Sequence, residues 1–325
     1  MRIFLAGGAG AIGRRLIPLL RQSGHEVAAT TRSKGKLEML RAAGAEPILL
    51  DAFDRQAVHR AVTDARPDVV MHQMTALASL KDFRKFESEL AMTNRLRTEG
   101  MEILLEAARF AGVKRFIAQS YSGWPNERTG GRIKNETDPL DPNPPSTMKP
   151  TIEALKSLER IVPDAQGLTG IVLRYGSFYG PGTSVAPGGI LVDAVQLRQF
   201  PVIGGGKGLW SWIHIDDAAR ATVLALDHGE SGIYNIVDDE PAEVATWLPV
   251  LADIVNAKLP RRVPTWLGRL FVGEAGVSMM TRSRGSSNAK AKRILGWHPY
   301  YASWREGFRH GLTDREPKFA AQPVA

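Results

Sequence analysis

Short apolar runs alternate with longer stretches of helical periodicity through the first half of the chain. The longer stretches repeat apolar residues every three or four positions, and the longest extends from about residue 83 to residue 111. Short apolar strands joined by helical crossovers are typical of a parallel sheet that is covered on both faces. The pattern predicts an α/β fold with a Rossmann-type, doubly wound parallel sheet, whose ligands bind beyond the carboxyl ends of the strands. The predicted strands are residues 2–6, 26–30, 46–50, 68–72, 114–119 and 169–174.

The first predicted strand leads into a glycine-rich turn and then into an amphipathic helix. Gly7, Gly10 and Gly13 have the spacing of a dinucleotide-binding turn and stand in the strand–turn–helix context that such a turn requires. Gly7 permits the tight turn, Gly10 lets the backbone approach a pyrophosphate, and Gly13 lets the helix pack closely on the strand. The amides of Ala11, Ile12 and Gly13 at the start of the helix would face the phosphates. The alternative is a glycine-rich turn in another kind of α/β protein.

The pattern changes after residue 182 to short helices, isolated strands and many glycines and prolines. We predict a nucleotide-binding domain over residues 1–182 and a smaller mixed substrate lobe over residues 183–315, with a strand and helices that return to the sheet. Residues 316–325 are predicted to be a flexible tail. The segment 124–145 is long and rich in Gly, Pro, Asn and charge, which suggests a lid or substrate loop.

Composition excludes several classes of protein. With 43% hydrophobic and 23% charged residues, the chain of 325 residues has the composition of an ordinary soluble globular protein. It has no cysteine, which excludes disulfides, thiolate catalysis and cysteine metal sites. No apolar stretch is long enough to span a bilayer and no secretory signal precedes the first strand, so a cytoplasmic location is expected. The net charge of +8 is scattered, which favours a solvated basic surface, or attraction of anionic substrates, over nucleic-acid binding.

Several ordered segments carry a family resemblance. They are the glycine turn, Asp51-Ala52-Phe53-Asp54, and residues 67–72, 174–182, 212–219, 232–236 and 292–297. Along nearly its whole length the chain resembles the extended short-chain dehydrogenase/reductases, the nucleotide-sugar epimerase/dehydratase superfamily. The resemblance implies a Rossmann domain that binds NAD(P) and acts on a small-molecule substrate, with no nucleic acid or membrane involved, and it favours a homodimer.

The resemblance also extends the expected cofactor site beyond the glycine turn. It implies that Asp51 and Ala52 lie near the adenine and that Met74 and Tyr175 contact the cofactor. Asn94 matches an asparagine that helps to order water and backbone near the active site of the family. The alternative for Asn94 is a polar residue on a solvated helix face.

The end of the second strand favours NADP(H) over NAD(H). The strand ends in Thr30-Thr31-Arg32 and has no acidic residue there to accept a hydrogen bond from a ribose 2′-hydroxyl. Arg32, followed by Lys34 and Lys36, can instead pair with a 2′-phosphate.

The usual acid/base pair of the family, Tyr-x-x-x-Lys, is absent. An alignment anchored on Glu159 places Thr151 and Leu155 where Tyr and Lys are expected, and a shift by one gives Ile152 and Lys156. The chain is therefore predicted to be an atypical member of the family it resembles.

The hydroxyl groups after the fifth strand are the remaining catalytic candidates. Tyr121 stands at the position of the family's catalytic hydroxyl, between Ser120 and Ser122. The functional hypothesis is that Tyr121, helped by either serine, polarises a carbonyl for hydride transfer. Because a free phenol has a pKa of about 10, it needs a cationic neighbour at neutral pH. Candidates for that cation are Lys134, Lys149 and Lys156. The alternative is that Tyr121 only shapes the pocket.

Other conspicuous residues have structural explanations. His72 lies on a strand, where a buried, hydrogen-bonded histidine is more common than a ligand. His214, Asp216 and Asp217 stand at the start of a helix, where carboxylates oppose the dipole, and we predict no metal site. The tryptophans near the glycines at 204–208 suit a flat or apolar substrate, or they belong to the core.

These observations lead to one main functional hypothesis and two rivals. The main one is an NADP(H)-dependent oxidoreductase that transfers a hydride to or from a carbonyl or alcohol of a small organic molecule. The rivals are a nucleotide-sugar epimerase or dehydratase with transient cofactor use, and a non-catalytic NADP(H)-sensing regulator.

Overall fold

We describe the protein from a computed structural model, which covers residues 1–77 and 82–313 and gives only the backbone of residue 83. The predicted tail, residues 316–325, lies outside the described residues. In the described part the strands are β1 (Arg2–Ala6), β2 (Glu26–Thr31), β3 (Glu46–Leu49), β4 (Val69–His72), β5 (Arg115–Tyr121), β6 (Ile133–Lys134), β7 (Thr169–Tyr175), β8 (Ser177–Tyr179), β9 (Val202–Ile203), β10 (Leu209–Trp210), β11 (Trp212–His214), β12 (Gly232–Ile236), β13 (Ala242–Glu243), β14 (Arg262–Val263) and β15 (Gly285–Ser286).

The helices lie between these strands. The α-helices of the described residues are α1 (Ala11–Gln22), α2 (Leu37–Ala42), α3 (Arg55–Ala65), α4 (Phe86–Arg95), α5 (Met101–Phe110), α6 (Lys149–Ile161), α7 (Ile190–Gln196), α8 (Ile215–His228), α9 (Val244–Ile254), α10 (Thr265–Arg282), α11 (Ala289–Leu295) and α12 (Trp304–His310). Short 3-10 helices occupy Lys34–Lys36, Phe83–Lys85 and Ser146–Met148, and Leu96–Gly100 forms a π-helical turn.

Seven parallel strands form the central sheet, in the order β12-β7-β5-β4-β1-β2-β3. This confirms the predicted doubly wound α/β fold. The chain runs from β1 outward to β2 and β3 and then crosses to β4 on the other side. The strand order therefore reverses at β1, where a doubly wound sheet opens a crevice for ligands. The sequence predicts that a strand from the C-terminal half returns to the sheet without identifying it, and the structure shows that this strand is β12, which pairs with β7.

Both faces of the sheet are covered because its strands are apolar on both sides. In β1, Ile3 and Leu5 pack into the core that contains α1 and α8, whereas Phe4 and Ala6 face the core under α3 and α5. All four side chains are at most 1% exposed. Burial of each large apolar side chain contributes about 1.5–3 kcal/mol to folding.

The long helix predicted over residues 83–111 is divided in the structure. Its central part is the π-helical turn Leu96–Gly100, which separates α4 from α5. A π-turn inserts one extra residue and rotates the side chains that follow it, and such turns occur frequently at functional sites. Here the rotation places Arg97 in the interior, at 3% exposure.

The segment 124–145, predicted to be a lid or substrate loop, is tied to the rest of the molecule. Its strand β6 pairs with β15, and the buried Lys134 forms ion pairs with Glu127 at 3.5 Å and Asp138 at 3.7 Å. Glu136 accepts a hydrogen bond from the backbone amide of Asn235 in β12. The segment thus joins the central sheet to the C-terminal lobe. Across the described ranges, the helices are too short or too polar to cross a membrane.

Candidate active site

The glycine turn after β1 has the geometry of a phosphate cradle. Gly7 adopts φ +91°, and a Cβ atom there would come within 2.7 Å of the Gln73 carbonyl oxygen. A Cβ atom on Gly13 would come within 2.6 Å of the carbonyl oxygens of Gly7 and Gly8. Only glycine fits at either position. The helix α1 begins at Ala11. The N-cap residue before it, Gly10, makes no side-chain hydrogen bond to the first amides of the helix. The first amides of α1 are therefore directed to a ligand.

The residues predicted to surround the cofactor lie around this turn. Arg32 is exposed directly after β2, and Thr30 at the end of that strand accepts a hydrogen bond from the Gly7 amide at 3.1 Å. Met74 follows β4, with its backbone nitrogen 3.0 Å from the position of a Cβ atom on Gly7. These contacts fit a dinucleotide site at the carboxyl edge, although the roles of the individual residues stay predictions.

Asp51 and Ala52 form the part of the rim that follows β3. The Asp51 carboxylate accepts a hydrogen bond from the Phe53 amide at 3.0 Å, which fixes the turn. Ala52 is partly exposed beside it. The guanidinium of Arg95 lies 3.8 Å from the centre of the Phe53 ring, so the turn also packs against α4. The proposed adenine contact of Asp51 and Ala52 stays a prediction.

Tyr175 lies deeper than the rim. Its hydroxyl group contacts the Thr222 hydroxyl at 2.6 Å and accepts a hydrogen bond from the Gln73 side chain at 3.3 Å. Burial raises the pKa of the Tyr175 phenol to about 12. The phenol hydroxyl thus forms its hydrogen bonds with buried side chains, and a role of Tyr175 in cofactor binding stays a prediction.

Buried residues on α6 occupy the two positions where the alignment anchored on Glu159 places the family's acid/base pair. Thr151 is fully buried and accepts a hydrogen bond from Asn94 Nδ2 at 3.0 Å. Leu155 is also fully buried, in a small apolar cluster with Ile152. Asn94 itself is only 9% exposed, which excludes the alternative of a solvated helix face. The side chains between α4 and α6 thus supply neither a phenol nor an amine at the usual place.

The three hydroxyl groups at the end of β5 point in different directions, because side chains alternate along a strand. Tyr121 Oη lies 2.7 Å from Ser177 Oγ, and this tyrosine borders the aromatic side chains of the site. Ser120 donates a hydrogen bond to Glu159 at 2.6 Å, beneath the site. Ser122 donates one to Ser286 at 2.6 Å, toward the C-terminal lobe. The structure therefore does not bring the three together, and Tyr121 is the candidate with a direct approach to a substrate.

A buried charge cluster lies below Tyr121. Arg174 donates two hydrogen bonds to Glu159, Nε to Oε1 at 2.8 Å and Nη2 to Oε2 at 2.6 Å, and both side chains are about 95% buried. This pair joins β7 to α6. Arg97 lies near the pair and interacts electrostatically with Glu159 and with Tyr121. Burial lowers the pKa of Arg97 to about 10, so it stays charged at neutral pH.

Arg97 is a cationic neighbour of Tyr121 that the sequence analysis did not identify. Of the three lysines considered as partners of Tyr121, Lys134 is paired with Glu127 and Asp138, Lys156 is paired with Glu153, and Lys149 is exposed. Burial raises the pKa of the Tyr121 phenol, while the hydrogen bond with Ser177 and the charge of Arg97 lower it. Because burial dominates, the phenol is protonated at neutral pH and can donate a proton but not accept one.

His72 and His214 have structural roles. His72 contacts the Leu96 carbonyl oxygen through Nε2 at 2.9 Å, and burial lowers its pKa, so it is neutral at pH 7. His214 Nδ1 accepts a hydrogen bond from the Asp216 amide and caps α8. Asp217 accepts hydrogen bonds from the backbone amides of Tyr300 and Tyr301. Within the described ranges no group of three or more His, Asp or Glu residues is arranged to hold a metal ion.

Aromatic side chains line the approach to Tyr121. The Tyr121 and Trp124 rings are 5.8 Å apart, and Trp124 meets Phe86 edge-on at 5.4 Å. By contrast, Trp212 and Trp247 are fully buried in the core of the C-terminal lobe. The sequence left open whether the tryptophans form core or pocket. These two belong to the core, while the partly buried Trp124 borders the site.

Comparison with known proteins places this architecture in a family. The sequence model of the NAD dependent epimerase/dehydratase family matches residues 3–237. A 3-diazoavenalumate denitrifying reductase from Streptomyces is 40% identical over 309 residues, which cover 94% of this chain and 99% of that protein. A ketoreductase for a farnesylated dihydroquinoline oxide from Stigmatella aurantiaca is 28% identical, with coverage of 79% and 74%.

Solved structures agree with the fold. The UDP-glucose 4-epimerase of Thermotoga maritima, solved with UDP-glucose, matches with a TM-score of 0.76 and 26% identity, and the match covers 96% of this chain and 97% of that one. Other solved structures of the same fold contain NAD or NADPH.

Proposed function

Since this chain belongs to the NAD-dependent epimerase/dehydratase family, we propose that it is an NADP(H)-dependent reductase of a small aromatic substrate. One observation carries the proposal: α6 holds Thr151 and Leu155, both buried, at the positions of the family's acid/base pair. A site without that pair is poorly equipped to abstract a proton from an alcohol. The protonated Tyr121 favours reduction instead. The bound nicotinamide would supply the hydride.

The preference for NADP(H) rests on the exposed edge of the sheet. Arg32 follows β2 directly and is exposed, and the Lys34–Lys36 turn adds two cations close behind it. A 2′-phosphate at this edge would accept charge-assisted hydrogen bonds from Arg32. NAD(H) carries a neutral 2′-hydroxyl group instead and offers these cations no charge at this position.

The cofactor preference can be measured by calorimetric titration with NADPH, NADP⁺, NADH and NAD⁺. Replacing Arg32 by Asp should weaken NADPH by about 10–100-fold, the size of a lost hydrogen bond to a charged group, and leave NADH nearly unchanged. Arg60→Asp, an exposed charge reversal within α3, is the matched control. Equal weakening of both reduced cofactors by Arg32→Asp would contradict the assignment.

The kind of hydride acceptor can be inferred from whether its reduction also requires a proton. Reduction of a carbonyl gives an alkoxide that must be protonated, and Tyr121 is the remaining donor. Net replacement of a diazo group differs: the hydride forms a C–H bond, the C–N bond breaks, and its electron pair leaves with N₂. That exchange, in which NADPH is oxidised and the carbon reduced, requires no net proton for an aryl diazonium ion. The absent pair therefore favours a diazo-bearing aromatic substrate, and the Streptomyces relative is named for such a reaction.

The Tyr121→Phe variant separates the two acceptors. General acid catalysis contributes about 10²–10⁴-fold, so turnover of an aryl ketone or aldehyde should fall by that range. Release of N₂ from an aryl diazonium substrate, followed together with NADPH oxidation, should change little. An equal loss on both substrates would refute the argument from proton demand. Unchanged carbonyl reduction would exclude the acid role of Tyr121.

A further inference from the structure

The Arg97 guanidinium is buried without an acidic partner among the residues that the structure describes. Its side chain is in the interior at 3% exposure, and its Nε atom has no hydrogen-bond partner. Throughout the part of the chain that the structure describes, no residue forms a hydrogen bond or ion pair with this guanidinium. A buried guanidinium in this state is costly unless something else neutralises it.

Glu159 does not fill that role. Its Oε1 atom accepts hydrogen bonds from Ser120 and from Arg174 Nε, and its Oε2 atom accepts one from Arg174 Nη2. One carboxylate therefore faces two guanidinium groups and bonds to only one of them. With His72 neutral, the cluster of Arg97, Arg174 and Glu159 retains one uncompensated positive charge.

The position of this charge connects it to the proposed substrate site. Arg97 lies on the π-helical turn, one helical turn beyond Asn94, which bonds to Thr151 at the place of the missing phenol. It interacts electrostatically with Tyr121, whose ring packs near Trp124. A buried cation therefore lies within electrostatic range of Tyr121, which belongs to this group of aromatic side chains. The glycine turn that fits the cofactor phosphates follows a different strand, β1.

We propose that Arg97 binds the carboxylate of the substrate, which is then an aromatic or conjugated acid. The proposal rests on the reductase function above and deepens it by naming the substrate class. A guanidinium presents two parallel N–H groups that match the two oxygens of a carboxylate. Stacking on Trp124 would hold the flat part of the molecule, and the bound carboxylate would supply the anion that Arg97 lacks in the free protein.

The test compares an acid with its amide. The ligands are 4-hydroxycinnamate and 4-hydroxycinnamamide, titrated calorimetrically into protein saturated with NADP⁺. The wild type should bind the acid about 10–100-fold more tightly, the worth of charge-assisted hydrogen bonds. Arg97→Met should abolish that preference while leaving the amide affinity unchanged. Arg97→Lys should keep only part of it, because an ammonium lacks the planar fork.

Arg115→Met is the matched control, since Arg115 is a partly buried arginine at the opposite end of β5 that bonds to backbone carbonyls of Ala225 and Gly229. It should keep the full preference for the acid. Thermal unfolding supplies a second measure. Without ligand, the Arg97→Met variant should unfold at no lower temperature than the wild type. Addition of the acid should not raise the unfolding temperature of the variant.

Three results would overturn the proposal: a preference for the acid that survives in Arg97→Met, a wild type that binds acid and amide equally, or a wild type that binds neither. If the methionine variant does not fold, Arg97→Lys carries the same comparison. NADPH binding and hydride transfer are measured on the same samples. An acid preference that depends on Arg97 without any hydride transfer would sink the reductase function and leave the anion site intact.

Discussion

We predict that the negative charge of Glu159 makes a large contribution to the free energy of unfolding of this protein. Replacing it by Gln keeps the shape and removes the charge, so that Arg97 and Arg174 remain as two buried cations with no carboxylate between them. The amide oxygen of the Glu159→Gln variant could still accept the hydrogen bonds from Ser120 and from Arg174 Nε, which share one oxygen atom of Glu159. We therefore expect the loss to arise from charge rather than from packing.

The size of the effect follows from the geometry. The two hydrogen bonds between Arg174 and Glu159 measure 2.8 and 2.6 Å, and the side chains are 4% and 5% exposed. Two unit charges about 4 Å apart attract by roughly 4 kcal/mol at an effective dielectric constant of about 20. Removal of one partner of a buried pair typically costs about 3–5 kcal/mol. The two figures agree, and we expect the free energy of unfolding to fall by about 3–5 kcal/mol.

The assay is urea unfolding followed by tryptophan fluorescence, with a control on the same helix. Glu153 pairs with Lys156 at 3.0 Å, and these side chains are 56% and 36% exposed. Glu153→Gln should change the free energy of unfolding by less than about 0.5 kcal/mol, because an exposed pair is screened by solvent. Both changes remove one carboxylate from α6. The difference between their free energies of unfolding therefore measures the effect of burial.

A double variant checks the cause. Adding Arg174→Met to Glu159→Gln removes one of the unpaired cations and should recover part of the lost stability. If Glu159→Gln costs less than about 1 kcal/mol, the cluster is better hydrated or less strongly coupled than its burial implies, and the reasoning is wrong. A double variant that is less stable than the single one would equally reject the charge explanation.

Three further predictions concern the glycine turn, a buried carboxyl and the α4–α6 contact. Gly13→Ala places a methyl group within 2.6 Å of two backbone oxygens and should abolish measurable NADPH binding, whereas Gly100→Ala, with its nearest contact at 3.5 Å, should bind normally. Burial raises the pKa of Asp238 well above its usual range, so its contribution to stability is complete below its unfolded pKa of about 3.9 and is lost as the pH rises. Asp238→Asn should therefore raise the thermal midpoint at pH 7, and the gain should disappear near about pH 4. Asn94→Ala should lower the free energy of unfolding by about 1–3 kcal/mol in urea titrations, because the buried Thr151 hydroxyl loses its partner; no loss would show that water replaces the amide.

The sheet and the glycine turn could be predicted because each depends on local sequence. An apolar strand that is buried on both faces can be recognised from its own residues, and the turn depends on two positions, Gly7 and Gly13, where a Cβ atom does not fit. The strand β12 could not be assigned to the sheet in this way. Its pairing with β7 joins residues about 60 positions apart, and only the returning chain brings Asn235 beside Arg174.

The charge cluster shows a second limit of sequence reasoning. Arg97 stands in a helical stretch that looks regular, where a basic residue is normally solvated. The π-helical turn changes the register by one residue and turns Arg97 inward. Nothing in the sequence signals this change, because Asn94, Arg95, Thr98 and Glu99 around it are polar or charged. Of the lysines that seemed available to Tyr121, Lys134 and Lys156 form ion pairs elsewhere and Lys149 is exposed, which only the folded structure reveals.

These observations together favour one direction of chemistry. An epimerase or a dehydrogenase must first take a proton from a hydroxyl group, and the residues that the structure describes at this site include no group suited to that step at neutral pH. Thr151 is buried and bonded to Asn94, and burial keeps the Tyr121 phenol protonated. Tyr121 can give up a proton after the substrate has accepted a hydride, or remain a spectator when N₂ leaves. The missing pair is therefore better explained by a reductase whose substrate needs little help from an acid than by a weakened epimerase. The buried charge of Arg97 fits the same interpretation, because it can hold an acidic substrate without taking part in proton transfer.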